Sequence, residues 1–268
     1  MEKNKLEELL FHAINASVDA GHEIMKIYES NFEVEFKEDD SPLTLADKKS
    51  HDTICSALAL FQIPFLSEEG ITISYDERKD WEYLWVVDPL DGTKEFIKKN
   101  GEFTVNIALV KDQKPIMGVI YCPTSKDLYF SLVDYGAYKI NFQNHFENLN
   151  HLISAANKLP LKTDRQNFVV VGSRSHMSKE TEEFFQKMKK ENNLVEILAV
   201  GSSLKICMVA EGSADVYPRY APTMEWDTAA GHAIANMAGY KILEYEKNHE
   251  IKYNKKSLVN SWFLVTKK

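Results

Sequence analysis

Apolar side chains recur at spacings of three and four through residues 4–29. Leu6, Leu10, Ile14, Val18, Gly21, Ile24 and Tyr28 fall on one face, which predicts an amphipathic helix. Segment 37–44, Lys-Glu-Asp-Asp-Ser-Pro-Leu-Thr, is polar and carries a proline, so it reads as a loop; 46–60 reads as a second helix. The short apolar stretch 63–66 runs into Ser67-Glu-Glu-Gly70, a strand entering a turn. Trp85-Val-Val-Asp88 repeats the pattern, a β-rich run broken by Pro89 and by Asp91-Gly92. Residues 103–110 alternate, with Phe103, Val105, Ile107 and Leu109 on one side. Asp112-Gln-Lys then turns the chain into 116–121, and further β-like pieces at 128–133 and 137–140 predict an antiparallel meander.

Segment 142–167 is polar, rich in Asn and without a sustained period. A boundary is expected near residue 147, between an N-terminal α+β domain (1–147) and a C-terminal α/β domain (148–268). After it the rhythm changes. A strand at 168–171, a turn at Gly172-Ser-Arg-Ser-His176, a charged helix at 178–190 and a β-run ending at Val200 come first. Gly201-Ser-Ser turns the chain into a helix at 204–211, followed by a strand at 214–217 and a helix at 227–238. Strand alternating with helix predicts α/β architecture for this half. There is no internal repeat and no low-complexity segment.

Composition narrows the function classes. The 268 residues are 44% hydrophobic and 27% charged, the balance of a soluble globular protein with a substantial core. Lys and Arg number 32 against 40 Asp and Glu, a formal net charge of −8. That sign argues against a nucleic-acid polymer as partner, since phosphate backbones recruit clustered cations. It leaves room for a small phosphorylated substrate, which needs only local positive charge. Cys55, Cys122 and Cys207 are far apart and form no C-x-x-C pair, so neither a disulfide framework nor a thiolate zinc site is expected. The first residues lead into an amphipathic stretch rather than an apolar leader, and no apolar run approaches the ~18 residues of a membrane span. A cytoplasmic protein is expected; the oligomeric state is left open.

Carboxylates stand where the regular pattern stops. Glu68 and Glu69 close one strand, Asp88 and Asp91 flank Pro89-Leu90 at the end of another, and Asp227 opens a helix. Pro89 fixes its own φ and Gly92 permits a tight turn, so both aspartates and a backbone carbonyl can converge on one point. Hard divalent cations such as Mg²⁺ take such oxygen-only surroundings, and helix N-terminal amides favour phosphate. The same residues also suit a turn and an N-cap, so spacing alone is compatible with a Mg²⁺ site and says no more. His232 is as well suited to packing as to function, and Trp226 to packing rather than to base stacking. Gly172-Ser-Arg-Ser lacks the ending of a P-loop, no H-E-x-x-H is present, Lys187 to Lys190 suit a solvated helix face, and Lys255-Lys256 suits a turn.

Three longer motifs go further. Leu66-Ser-Glu-Glu69, Trp85-Val-Val-Asp-Pro-Leu-Asp-Gly-Thr-Lys-Glu-Phe-Ile97 and Glu225-Trp-Asp-Thr-Ala-Ala-Gly-His232 resemble the metal-site motifs of the inositol monophosphatase superfamily, in its order and spacing. The finer features are Lys94-Glu95, Asn100-Gly-Glu-Phe-Thr-Val-Asn-Ile-Ala-Leu, Ser173-Arg-Ser-His176 and Gly201-Ser-Ser-Leu-Lys205. They resemble the 3'(2'),5'-bisphosphate nucleotidase branch, the CysQ type.

The resemblance implies a five-layered α/β/α/β/α sandwich with the active site between the two halves. It implies two or three Mg²⁺ ions: one on Glu68, Asp88 and the carbonyl of Leu90, another on Asp88, Asp91 and Asp227, with Glu69 close behind. Asp47 and Thr93 match the pair that orients the attacking water. Glu68, Leu90, Asp91, Gly92, Thr93 and Asp227 would meet the scissile phosphate. Ser173, His176 and Lys205, with Ser202 and Arg219, would contact the nucleoside or its second phosphate. The implied reaction is removal of the 3'-phosphate of adenosine 3',5'-bisphosphate in sulfur assimilation, with 3'-phosphoadenylyl sulfate as a further substrate and Li⁺ as inhibitor. Peripheral attachment to the cytoplasmic face of the inner membrane is sometimes attributed to that branch, and the sequence shows no visible anchor for it. The alternatives are an inositol or broad sugar phosphatase of the same fold and a non-catalytic nucleotide sensor.

Overall fold

A computed structural model describes residues 1–30, 34–36, 42–143, 145–173, 178–247 and 249–267, without the side chains of 34–36 and 42–44. Helix α1 (Lys3–Tyr28) buries Leu10, Ile14, Val18 and Ile24 as its pattern predicts. Leu9, Ala13, Ala16 and Ala20 are buried with them, because the helix meets both a neighbouring helix and a sheet. Within the expected loop 37–44, Pro42–Thr44 forms a strand, β2, which pairs antiparallel with β1 (Val34–Phe36) in a short ribbon. Pro42 is its first residue on that side, a position where a missing donor costs little. The rest of that expected loop, 37–41, lies outside the described residues.

Helix α2 (Leu45–Leu58) leads to β3 (Phe65–Ser67), the short α3 (Tyr75–Arg78) and β4 (Tyr83–Asp91). Strand β4 runs through Pro89 rather than stopping before it. Asp88 pairs with Asn106 and Asp91 with Thr104, so one extra residue bulges out between them. The ladder is already interrupted at the bulge, and the proline's missing N–H is tolerated there. Helix α4 (Thr93–Ile97) follows.

The expected meander is present as β5 (Thr104–Lys111), β6 (Lys114–Cys122), β7 (Asp127–Leu132) and β8 (Gly136–Asn141), all antiparallel. After α5 (Leu149–Ala155), β9 (Asn157–Lys158) adds a last strand, giving a seven-stranded sheet in the order β3-β4-β5-β6-β7-β8-β9.

In the second half β10 (Phe168–Ser173) and β11 (Val195–Val200) pair in parallel across α6 (Lys179–Glu191). Helix α7 (Leu204–Glu211), β12 (Tyr217–Arg219) and α8 (Glu225–Met237) follow. Beyond Ala238, where the pattern named no element, β13 (Tyr240–Glu244) and β14 (Phe263–Lys267) pair antiparallel, and β14 pairs with β12. A parallel bridge from Val170 to Val216 joins these to β10.

The layers follow from which face each element buries. One core lies between α1, α2 and the large sheet, through Ile14, Trp85, Ile107 and Phe130. A second lies between the sheet's other face, α7, α8 and the second sheet, through Val86, Ala108, Ile206 and Ile234. A third, smaller one seats α6 on the outside through Val170, Phe185 and Met188. The result is the α/β/α/β/α sandwich. Gly118 on β6 lets α8 lie flat on the sheet, since a Cβ there would stand 2.2 Å from the carbonyl oxygen of Ala230. Among the described residues no helix is long and apolar enough to cross a membrane.

Candidate active site

The bulge at the end of β4 builds the floor of the site. Parallel pairing sets Ser67 opposite Val87, and Glu68 then donates its N–H to the Val87 carbonyl at 3.2 Å. Glu68 therefore leaves β3 beside the position from which Asp88 leaves β4. The Leu90 N–H donates to Asp88 Oδ1 at 3.1 Å and fixes that carboxylate. Gly92 holds φ at 96°, in the left-handed region, and turns the chain into α4. Thr93, the first residue of α4, donates its hydroxyl to the Leu90 carbonyl at 3.4 Å.

The other wall comes from the second half. Asp227 sits in the first turn of α8 and accepts the Met224 N–H at 2.9 Å. That turn is anchored from below by Glu225, fully buried, which accepts the Asn254 N–H at 2.5 Å and the Lys255 ammonium at 2.6 Å. Asn260 reaches the same turn through Thr228, at 3.0 Å. The turn between β11 and α7 brings Ser203, whose N–H donates to Asp91 Oδ2 at 2.5 Å. Its hydroxyl lies 2.8 Å from both Thr104 Oγ1 and Asn106 Oδ1.

Between these walls lies a cleft of about 310 Å³. Glu68, Asp88, Leu90, Asp91, Gly92, Thr93 and Asp227 line it, together with Ser173, Ser202, Lys205 and Arg219. Asp47, buried in the first turn of α2, stands behind them and interacts electrostatically with Asp88. His176 lies outside the described residues. Tyr217, Thr223, Lys94 and Glu95 also line the cleft, with no role assigned to them from sequence. The one legible hint was that Lys94 and Glu95 follow directly on Asp91-Gly-Thr.

Burial dominates the electrostatics. Desolvation pushes the Asp88 carboxyl well above its ordinary range, and repulsion from Glu68, Asp91, Asp227 and Asp47 adds to it. Asp91 is raised by burial and partly relieved by Lys205, the Ser203 N–H and Asn106. Asp227 is pushed up to about 8 by burial and by Asp91, against the Met224 N–H. Burial lowers the Lys205 ammonium to about 8 despite Asp91 nearby. Its Nζ is held 3.2 Å from the Val200 carbonyl and 2.5 Å from that of Ser202.

The carboxylates and the carbonyl of Leu90 make an oxygen-only donor set. Among the described residues no three acidic, histidine or cysteine side chains already close into a metal-binding group. Lys94, Lys205 and Arg219 line the cleft against Glu68, Asp88, Asp91, Glu95 and Asp227, so among its described lining residues carboxylates outnumber cations. Such a set suits hard cations, which supply the missing charge.

Residues 5–266 match the inositol monophosphatase family. The chain belongs to that family. It is 40% identical over 252 residues to the 3'(2'),5'-bisphosphate nucleotidase CysQ of Salmonella typhimurium, covering 92% of this chain and 95% of that one. The crystal structure of CysQ from Bacteroides thetaiotaomicron, a bacterial member of the family, superposes with a TM-score of 0.91. That chain is 49% identical, and the superposition covers 98% of each. The extragenic suppressor protein SuhB of Bartonella henselae shares the fold at 22% identity and a TM-score of 0.74, over 96% of this chain and 93% of that one.

Other sequence candidates fall elsewhere. His232 is buried on α8, with Nδ1 3.0 Å from Tyr253 Oη and Nε2 3.0 Å from Glu250. Trp226 packs against the second core. Lys187, Lys189 and Lys190 are exposed on α6. Lys255, read as part of a turn, serves as the partner of buried Glu225.

Proposed function

We propose that the chain is a Mg²⁺-dependent phosphatase that removes the 3'-phosphate of adenosine 3',5'-bisphosphate, yielding AMP and phosphate. The observation that carries this is the convergence of Glu68, Asp88, Asp91 and Asp227 on one cleft that Lys205 and Arg219 also line. The relatives named as bisphosphate nucleotidases supply the substrate class. In this reading 3'-phosphoadenylyl sulfate is a further substrate, the setting is cytoplasmic sulfur assimilation, Li⁺ inhibits, and any membrane contact is peripheral. The division near residue 147 then separates a part bearing most carboxylates from one supplying Asp227 and the nucleotide contacts.

Glu68, Asp88 and the Leu90 carbonyl would hold one Mg²⁺, and Asp88, Asp91 and Asp227 a second. Bound Mg²⁺ supplies positive charge that draws in the phosphate dianion and eases deprotonation of water. The chain's residues do the rest. Thr93 and Asp47 orient a water against phosphorus and take up its proton. The new P–O bond forms in line as the bond to the ribose 3'-oxygen breaks, and that oxygen gains a proton as AMP leaves. Lys205 and Arg219 hold the anionic part of the nucleotide that does not react. No covalent intermediate on the protein is needed.

The test is phosphate release from adenosine 3',5'-bisphosphate and from inositol 1-phosphate, side by side, with Mg²⁺ and with chelator, and with Asp91→Asn as control. Mg²⁺-dependent preference for the nucleotide, lost in the variant, supports the reading. Preference for inositol phosphate assigns the chain to the sugar-phosphate side of the family. Absence of turnover on both, with nucleotide binding retained, makes it a sensor.

A further inference from the structure

Helix α2 touches both carboxylate-bearing segments from behind. Asp47, Ser50 and His51 are spaced i, i+3 and i+4, so they share one face of the helix. Ser50, fully buried, donates its hydroxyl to the Pro89 carbonyl at 2.6 Å, inside the bulge between Asp88 and Asp91. His51 Nδ1 lies 2.9 Å from Ser67 Oγ, on the residue directly before Glu68. The turn there closes with the Gly70 N–H donating to the Ser67 carbonyl at 3.1 Å.

Both contacts meet points of weakness. Pro89 lies where the β4–β5 ladder is interrupted, so the ladder does not hold that peptide in place. Ser67 is the last residue of an edge strand with a neighbour on one side alone. The carboxylates these segments carry repel one another, which favours spreading of the two loops before any cation binds.

We propose that Ser50 and His51 are positioning residues for the metal site: α2 clamps the Glu68 turn and the Asp88–Asp91 bulge at a fixed separation, so that a divalent cation finds its ligands gathered. This rests on the metal reading above. The energetic reason is preorganisation. A ligand set held open by a rigid helix face spends less of the cation's binding free energy on ordering two loops. Neither side chain lines the cleft, so the expected signature is a change in Mg²⁺ affinity without a change in nucleotide recognition.

The experiment is titration calorimetry of the metal-free protein with Mg²⁺, beside phosphate release measured against Mg²⁺ concentration. His51→Leu, Ser67→Ala and Ser50→Ala are each expected to weaken Mg²⁺ affinity about tenfold or more, within the range seen when groups that orient metal ligands are removed. KM for the nucleotide at saturating Mg²⁺ should stay within about twofold. His51→Asn, which can keep a hydrogen bond to Ser67, should recover most of the loss. The His51→Leu/Ser67→Ala double variant should lose no more than either single one, because both remove the same bond. Should His51→Leu fail to fold, Ser67→Ala tests that bond from its other end.

Unchanged Mg²⁺ affinity in folded Ser67→Ala and Ser50→Ala overturns the proposal, as does a raised KM with Mg²⁺ affinity intact. A wild-type protein that binds no Mg²⁺ and keeps its activity in chelator overturns the metal reading itself, and the clamp with it.

Discussion

The backbone N–H of Ser203 donates to Asp91 Oδ2 at 2.5 Å, across 112 residues of sequence. The contact joins the turn that carries Ser202 and Lys205 to the carboxylate at the end of β4. It places the start of α7, where backbone N–H groups are in excess, against a buried negative charge. The Ser203 hydroxyl extends the link to Thr104 and Asn106. Ser203→Ala keeps the N–H contact and removes the hydroxyl bridge. It should cost about 1 kcal/mol of stability and lower kcat/KM several-fold, read by thermal unfolding and phosphate release.

Buried carboxylates without compensation should destabilise the metal-free protein. Asp227 is raised to about 8 from an ordinary value of 3.8. For an acid raised in this way the folded state favours the protonated form, and stability is lost as pH climbs from 3.8 toward 8. In chelator, Asp227→Asn should therefore melt higher than wild type at pH 8, with a smaller gap at pH 5. Each kcal/mol is expected to show as about 2–4 °C. Adding Mg²⁺ should raise the melting temperature of the wild type more than that of the variant, which keeps the proposed first site on Glu68, Asp88 and the Leu90 carbonyl. Equal melting temperatures at both pH values in chelator would contradict the repulsion argument.

In the proposed reading Lys205 makes substrate binding depend on pH. Burial lowers its ammonium to about 8, so its positive charge is present below pH 8 and lost above it. KM for the bisphosphate should rise as pH passes through 8. Lys205→Met should raise KM at pH 7 by about tenfold, corresponding to a lost charge-assisted hydrogen bond, and flatten the profile. The measurement is KM across pH 6.5–9.5 at saturating Mg²⁺.

His232 on α8 and Glu250, neither of which lines the cleft, form a pair. Burial lowers the His232 imidazole below its ordinary 6.5, against the pull of Glu250. Glu250 is held well below its ordinary 4.5, first by its hydrogen bond to His232, then by Lys241 and Asn236. The unfolded chain takes up a proton at His232 below pH 6.5 that the folded chain resists, so stability falls with acid there. The Glu250 contribution is present above pH 4.5 and is lost below it, as pH falls toward the lower folded value. Glu250→Gln should reduce stability at pH 7 by about 1 kcal/mol after allowing for its partial exposure. It should also weaken the acid dependence below pH 4.5, as urea unfolding at pH 7, 5.5 and 4 would show.

Much of the fold was legible because it is written locally. The three-and-four stripe of α1, the alternation through Phe103, Val105, Ile107 and Leu109, and the turn residues between the meander strands each report their own backbone geometry. The run of β4 through Pro89 was not, since tolerance of the proline depends on a bulge set by its partner β5. Strands β13 and β14 were invisible for a similar reason. They are five residues each and owe their form to pairing with one another and with β12.

The site divides along the same line. Sequence alone singled out Glu68, Asp88, Asp91 and Asp227 as carboxylates at the ends of regular elements, and the motifs around them carried the family. It said nothing of Ser203 beneath Asp91, Glu225 beneath Asp227, or the clamp of Ser50 and His51 behind both loops. Those roles belong to contacts between residues 39, 16 and 112 positions apart, as from Ser50 to Pro89, His51 to Ser67 and Ser203 to Asp91. A hydrophobic period encodes which face of an element is buried. Which polar group meets it there is decided only when the layers pack and each buried donor must find an acceptor.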